Sequence, residues 1–131
     1  MFVLDASAAL GLLFDDEDGE VAEVAFRTGQ RAVVPPLFLQ EISNAVAVAV
    51  RRGRLARDDA PEVLARLTRL PIHVSPAIPH GQVLLELALA LEISSYDATY
   101  LALALGEEIP LVTADQALSR AAASLDVSLT P

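Results

Sequence analysis

The sequence contains no cysteine and no lysine. The first absence excludes disulfides and thiolate chemistry. The second closes every mechanism that requires a lysine, and it makes all 9 basic residues arginines. Aromatic residues are scarce at 5%, so Leu, Val and Ala must build the core from a hydrophobic content of 53%. No run of about 18 uncharged apolar residues occurs, so nothing is expected to span a membrane. The first residues carry no basic stretch or small-residue cleavage site, and a cytoplasmic location is the default expectation. A glycine-rich phosphate loop is missing as well. His73 alternates out of a short strand and His80 sits near a Pro/Gly turn. Neither has a partner at metal-ligand spacing, so both are expected to be structural or superficial.

A chain of 131 residues is expected to form one domain, large enough to bury most of its apolar surface. Net charge is -9, ordinarily a poor start for a nucleic-acid binder. Acids gathered at a metal site are neutralised there, however, and only the remaining surface meets a partner.

Taken in order, Met1 to Leu4 is an apolar run expected to be a buried strand ending at Asp5. Ser7 is expected to cap a helix over Ala8 to Phe14. The acidic run Asp15 to Gly19 is expected to be a solvated loop. A second helix is expected from about Glu20 to Thr28, stopped by Gly29, then a strand over Ala32 to Val34 ended by Pro35 and Pro36. The third helix, Leu37 to about Arg52, places Leu37, Glu41, Asn44, Val48 and Arg51 on one side. Arg51, Arg52, Arg54 and Arg57 form the one basic cluster, which suits a helix C-terminus or a phosphate-contacting patch. A fourth helix is expected after Asp58 and Asp59, with Val63, Leu64, Leu67 and Leu70 inward. Pro71 to Val74 follows as a strand, and a largely buried helix over Ile78 to Leu91. The remaining expectations are a helix over Asp97 to Leu105 capped by Gly106, a strand over Leu111 to Thr113, a helix over Gln116 to Ser124, and an edge strand at Val127 to Leu129. Alternating strands and helices predict an α/β fold, a mainly parallel sheet with helices on both faces.

Four acids stand in comparable settings. Asp5 ends the first strand, Glu41 interrupts an otherwise apolar helix face, Asp97 opens a helix, and Asp115 closes a short apolar strand. Ligands in parallel sheets bind beyond the carboxyl ends of the strands, where all four should point. Singly, Asp5 and Asp97 suit helix caps and Glu41 suits an arginine partner. Together, unneutralised like charges would repel and raise one another's pKa values. A divalent cation removes that cost, and oxygen ligands select Mg²⁺ or Mn²⁺. Carboxylates holding such ions support attack of activated water on a phosphoryl group. Thr113, Ser7 and Asn44 are placed to orient the ligands by hydrogen bonds.

Phe2 to Ala8 (FVLDASA), Pro35 to Ala45 (PPLFLQEISNA), Ser94 to Ala104 (SSYDATYLALA) and Pro110 to Asp115 (PLVTAD) together resemble a PIN-domain ribonuclease, most similar to VapC-type toxins of toxin–antitoxin modules. These blocks span almost the whole chain in the family's order. The resemblance implies a three-layer α/β/α PIN-like domain with four to five strands. It implies an acidic quartet at Asp5, Glu41, Asp97 and Asp115, with Thr113 in support. It further implies Mg²⁺- or Mn²⁺-dependent cleavage of RNA, a homodimer, and inhibition by a cognate antitoxin. The marked acidity and the lack of a further acid after Asp115 depart from the usual pattern, and neither removes a matched ligand.

Three other classes compete. A receiver-type phosphoacceptor clusters acids around Mg²⁺ but requires a lysine. A haloacid-dehalogenase-type phosphatase fails on the same ground, and Asp5-Ala6-Ser7 lacks its second aspartate. A non-catalytic PIN-like binding or regulatory protein would have no need of four intact acids.

Overall fold

The computed structural model describes residues 1–14 and 18–128. The expected acidic loop therefore lies largely outside the described residues, as does Leu129 of the expected edge strand. Four strands run parallel in the order β3-β2-β1-β4. They are β1 (Phe2–Leu4), β2 (Ala32–Val34), β3 (Ile72–Val74) and β4 (Leu111–Val112). The helices are α1 (Ala6–Leu13), α2 (Glu20–Arg27), α3 (Leu37–Arg51), α4 (Ala60–Leu67), α5 (Gly81–Leu91), α6 (Ser95–Glu107) and α7 (Gln116–Ser124), with a 3₁₀ turn over Arg57–Asp59.

The register follows the apolar triplets. Val3 lies opposite Val33 on one side and Leu111 on the other, so β1 is central and wholly buried. The chain steps from β1 to β2 to β3 in one direction, then crosses back to place β4 on the far side of β1. With right-handed crossovers, α1 to α4 pack on one face and α5 and α6 on the other. The contacts agree: α1 packs on α2, α3 and α4, while α6 packs on α5, α7, β1 and β4. The reversal falls between β1 and β4, the position where parallel sheets open a crevice at their carboxyl ends. Val127 and Ser128 add an isolated parallel bridge to Leu111 rather than a strand.

Phe2, Leu4, Leu13, Phe38, Ile42, Tyr100, Leu101 and Leu118 are the large side chains at the centre of the core. On α3 the buried positions are Phe38, Ile42, Val46 and Ala49, spaced at four, four and three. Glu41 flanks that stripe and is half-buried. Gly29 and Gly53 end α2 and α3 at φ 74° and 75°, a left-handed region that glycine enters without cost.

Four expectations are corrected. Helix α1 starts at Ala6, with Asp5 rather than Ser7 at the cap position, because Ser7 turns its hydroxyl towards Asp5 and Ala114. Asp97 is not the first residue of α6: Ser94 caps that helix by accepting from the Asp97 N–H at 3.0 Å. Gly106 lies inside α6, and Glu108 takes the left-handed turn at φ 55°. Helix α5 starts at Gly81 and is not largely buried. It has no fully buried residue, and Ile78, Leu85 and Leu89 are 87%, 57% and 72% exposed. Its inner edge of Leu87 and Leu91 rests on the core, and the rest of its Leu/Ala content faces outward. Among the described residues no helix is long and apolar enough to cross a membrane.

Candidate active site

Asp5 leaves the carboxyl end of β1 and is 3% exposed. It occupies the cap position of α1 but makes no side-chain cap bond, so its carboxylate is not spent on the helix. Instead Ser7 Oγ donates to Asp5 Oδ2 at 2.5 Å and Thr113 Oγ1 donates to the same oxygen at 2.7 Å. Both hydroxyls also accept: Thr113 Oγ1 from the Asp115 N–H at 3.0 Å, Ser7 Oγ from the Ala114 N–H at 3.1 Å. This lattice joins the β1–α1 turn to the β4–α7 turn and fixes Asp5 across the switch point. A Thr at the end of β4 and a Ser in the first turn of α1 thus both donate to Asp5.

Asp115 caps α7, its Oδ1 accepting from the Leu118 N–H at 2.8 Å. Asp97 lies in the first turn of α6, an arrangement a helix dipole favours for an acid. Glu41 lies just beyond the first turn of α3, where Tyr100 Oη donates to its Oε1 at 3.1 Å. Tyr100 is a supporting group that sequence reasoning missed. It stands three residues after Asp97, hence on the same face of α6, and that spacing was the available signal.

Electrostatics tie the four acids into one cluster. Burial raises the pKa of Asp5 above its ordinary 3.8, and the charge of Asp115 adds to the rise against three opposing hydrogen bonds. Burial also raises Glu41, opposed by the Tyr100 bond and increased by the charges of Asp5 and Asp97. Asp97 rises through burial and through the charges of Asp5 and Asp115. Tyr100 is pushed far upward by burial and by Glu41, so it stays a protonated donor. Asp5 is the centre, with Glu41, Asp97 and Asp115 around it.

The donor set is suited to a hard divalent cation. All the charged ligands are oxygen, and every acid keeps an oxygen free of side-chain donors. Both hydroxyl bonds to Asp5 converge on Oδ2, Tyr100 takes only one Glu41 oxygen, and Leu118 only one of Asp115. Among the described residues no three such ligands already stand close enough to enclose an ion. Like charges so gathered repel one another, a cost that a bound cation would remove.

The remaining expected groups lie elsewhere. Asn44 is exposed on α3, one turn beyond Glu41, without a hydrogen bond to the acids. Arg51, Arg52, Arg54 and Arg57 are exposed around the far end of α3, about 15 Å of helical rise from Glu41. The Arg54 guanidinium lies 5.3 Å above the Phe14 ring centroid. His73 and His80 are exposed.

Comparison with known proteins agrees with this architecture. Residues 2–124 match the PIN domain family. The chain is 35% identical over 119 residues to VapC ribonuclease Mb0985 of Mycobacterium bovis, covering 91% of this chain and 89% of the relative. Ribonuclease VapC3 of Pyrobaculum aerophilum is 34% identical over 124 residues, covering 89% and 91%. In fold alone, the crystal structure of PAE2754 from Pyrobaculum aerophilum superposes with a TM-score of 0.75 at 22% identity, over 98% of this chain and 87% of that one. With a family match over nearly its whole length and relatives of this identity, the chain belongs to the PIN domain family, in its VapC branch.

Proposed function

We propose that the protein is a metal-dependent ribonuclease, the toxin of a toxin–antitoxin pair, with Asp5, Glu41, Asp97 and Asp115 holding Mg²⁺ or Mn²⁺. The observation that carries this is the mutual electrostatic coupling of four acids at the β1–β4 switch point, in a chain whose relatives are named ribonucleases. When bound, the divalent cation supplies Lewis-acid polarisation of the phosphate and of an attacking water. The protein's own part is placement. Ser7 and Thr113 fix Asp5, Tyr100 orients Glu41, and the α7 cap bond orients Asp115. Asp97, half-buried in the first turn of α6, would add its carboxylate to the same ion.

The test compares wild type with Asp97→Asn on total cellular RNA in Mg²⁺ and in Mn²⁺. Divalent-dependent cutting by wild type, lost in a folded Asp97→Asn, is expected. Growth arrest on expression, relieved by the same substitution, is the expected cellular counterpart. Equal cutting by both proteins would overturn the role of Asp97.

The same reading includes a homodimer, supported by the apolar outer face of α5. Leu85 and Leu89, one turn apart, are 57% and 72% exposed and form an apolar pair of the kind an interface covers. A Leu85→Glu/Leu89→Glu double variant is expected to run as a folded monomer in light scattering after gel filtration, where wild type runs as a dimer. An unchanged dimer would remove α5 from the interface.

A further inference from the structure

We infer that Arg120 holds the RNA phosphate next to the one being cut, in a groove that continues from the acid cluster along α7. The inference rests on the ribonuclease reading and extends it to substrate contact. The groove encloses about 550 Å³ and is walled by Asp18 and Val21 on one side and by Thr113, Asp115, Ser119 and Arg120 on the other. Thr113 and Asp115 belong to the acid cluster itself, so groove and cluster are continuous. Arg120 stands five residues beyond Asp115 on α7, about 7.5 Å of rise. That is comparable with the spacing of neighbouring phosphates along an extended strand.

Other arginines are engaged or remote. Arg27 pairs with Glu23 and Arg69 with Glu62. Arg66 donates to the Leu13 carbonyl, and Arg54 covers Phe14. Arg51, Arg52 and Arg57 lie around the distant end of α3, and Arg31 precedes the amino end of β2, at the sheet edge opposite the acids. Arg120 is exposed and makes no ion pair or side-chain hydrogen bond among the described residues. Asp18, across the groove, already accepts from the Glu20 N–H at 2.9 Å. A guanidinium offers paired N–H groups matched to two phosphate oxygens. In a chain of charge -9, an unpaired cation in a groove that reaches Thr113 and Asp115 marks the place where a polyanion can be held. The contact itself carries no base information.

The experiment uses a fluorescein-labelled single-stranded RNA of mixed sequence. Binding is followed across a salt series in the inactive Asp97→Asn background, and cleavage kinetics in the active protein. Arg120→Ala is expected to raise KM about tenfold with kcat moving less than about twofold. It is also expected to lower the slope of log affinity against log salt by about 0.7, one phosphate contact on a single strand. Arg120→Lys should recover the slope but only part of KM, because it keeps the charge and loses the fork. Unchanged KM and slope in a protein of unchanged melting temperature would overturn the inference. So would a fall in kcat alone. Unchanged RNA kinetics with weakened binding of a glutamate-rich peptide would assign the groove to an acidic protein tail instead. Wild type that neither binds nor cuts RNA would overturn the ribonuclease reading, and this inference with it, before any substitution is made.

Discussion

Asp5→Asn is expected to abolish RNA cleavage, by about 10³-fold or more, while making the metal-free protein more stable. Asparagine keeps the shape and an oxygen for Ser7 and Thr113, but it removes the charge that burial and Asp115 disfavour. The sign follows from linkage. Asp5, Glu41 and Asp97 all have folded-state pKa values raised above their ordinary ones, so the folded chain binds protons more tightly than the unfolded chain. Stability of the metal-free fold therefore falls as pH rises from the ordinary carboxylate values, 3.8 for Asp5, through the raised ones. Asp5→Asn removes one contributor to that fall and should gain on the order of 1 kcal/mol at neutral pH. Mn²⁺ should reverse the order: at about 100 times its Kd it adds about 2.7 kcal/mol to wild type and far less to the variant. Urea denaturation at several pH values, with and without Mn²⁺, measures all of this. A variant that is less stable than wild type without metal at neutral pH would refute the electrostatic account. A variant that still cuts RNA would remove Asp5 from the site.

Thr113→Val carries the second large effect. Its hydroxyl donates to Asp5 Oδ2 and accepts from the Asp115 N–H, so it links the two acids that lie furthest apart in sequence. Valine matches its volume, so packing changes little and the hydrogen bonds account for the result. The part-buried Asp115 N–H loses its partner, and buried Asp5 keeps only the Ser7 hydroxyl and the Ala6 backbone bond. The expected cost is about 1–3 kcal/mol of stability, and about 10–100-fold in activity or metal affinity through misaligned ligands. Thr113→Ser restores the hydroxyl and should recover most of both. Measuring rate and Mn²⁺ affinity on all three proteins separates the alternatives. If serine fails as valine does, the hydroxyl alone does not account for the effect.

Much of this site was legible because its acids are few and sit at element boundaries. Asp5, Asp97 and Asp115 each follow a recognisable strand or helix punctuation, and Glu41 stands out in an apolar face. Strand triplets such as Phe2–Leu4 and Ala32–Val34 are fully buried, which is why they read as uninterrupted apolar runs. The failures share one cause, that composition says how apolar a segment is and not which side meets the core. Helix α5 is rich in Leu and Ala on every side, so periodicity offered no inner face, and burial was assumed where the structure exposes Leu85 and Leu89. Tyr100 looked like core and is core, but its hydroxyl reaches Glu41 on another helix, a pairing across 59 residues that no local pattern encodes. Ser7 is not the cap expected of it, because the same side chain suits a cap and a bond to Asp5, and only the fold chooses.

The pairing of β1 with β4 sets the order in which the protein acquires its chemistry during synthesis. Asp5 leaves the ribosome first, and Thr113, whose hydroxyl it needs, follows 108 residues later. At about 5–20 residues per second that is a gap on the order of ten seconds. Throughout it β1 can pair with β2 and begin a core, yet the acid cluster lacks its last wall. Until β4 is made and joins β1, Asp5 lacks the Thr113 hydroxyl and the cluster lacks Asp115.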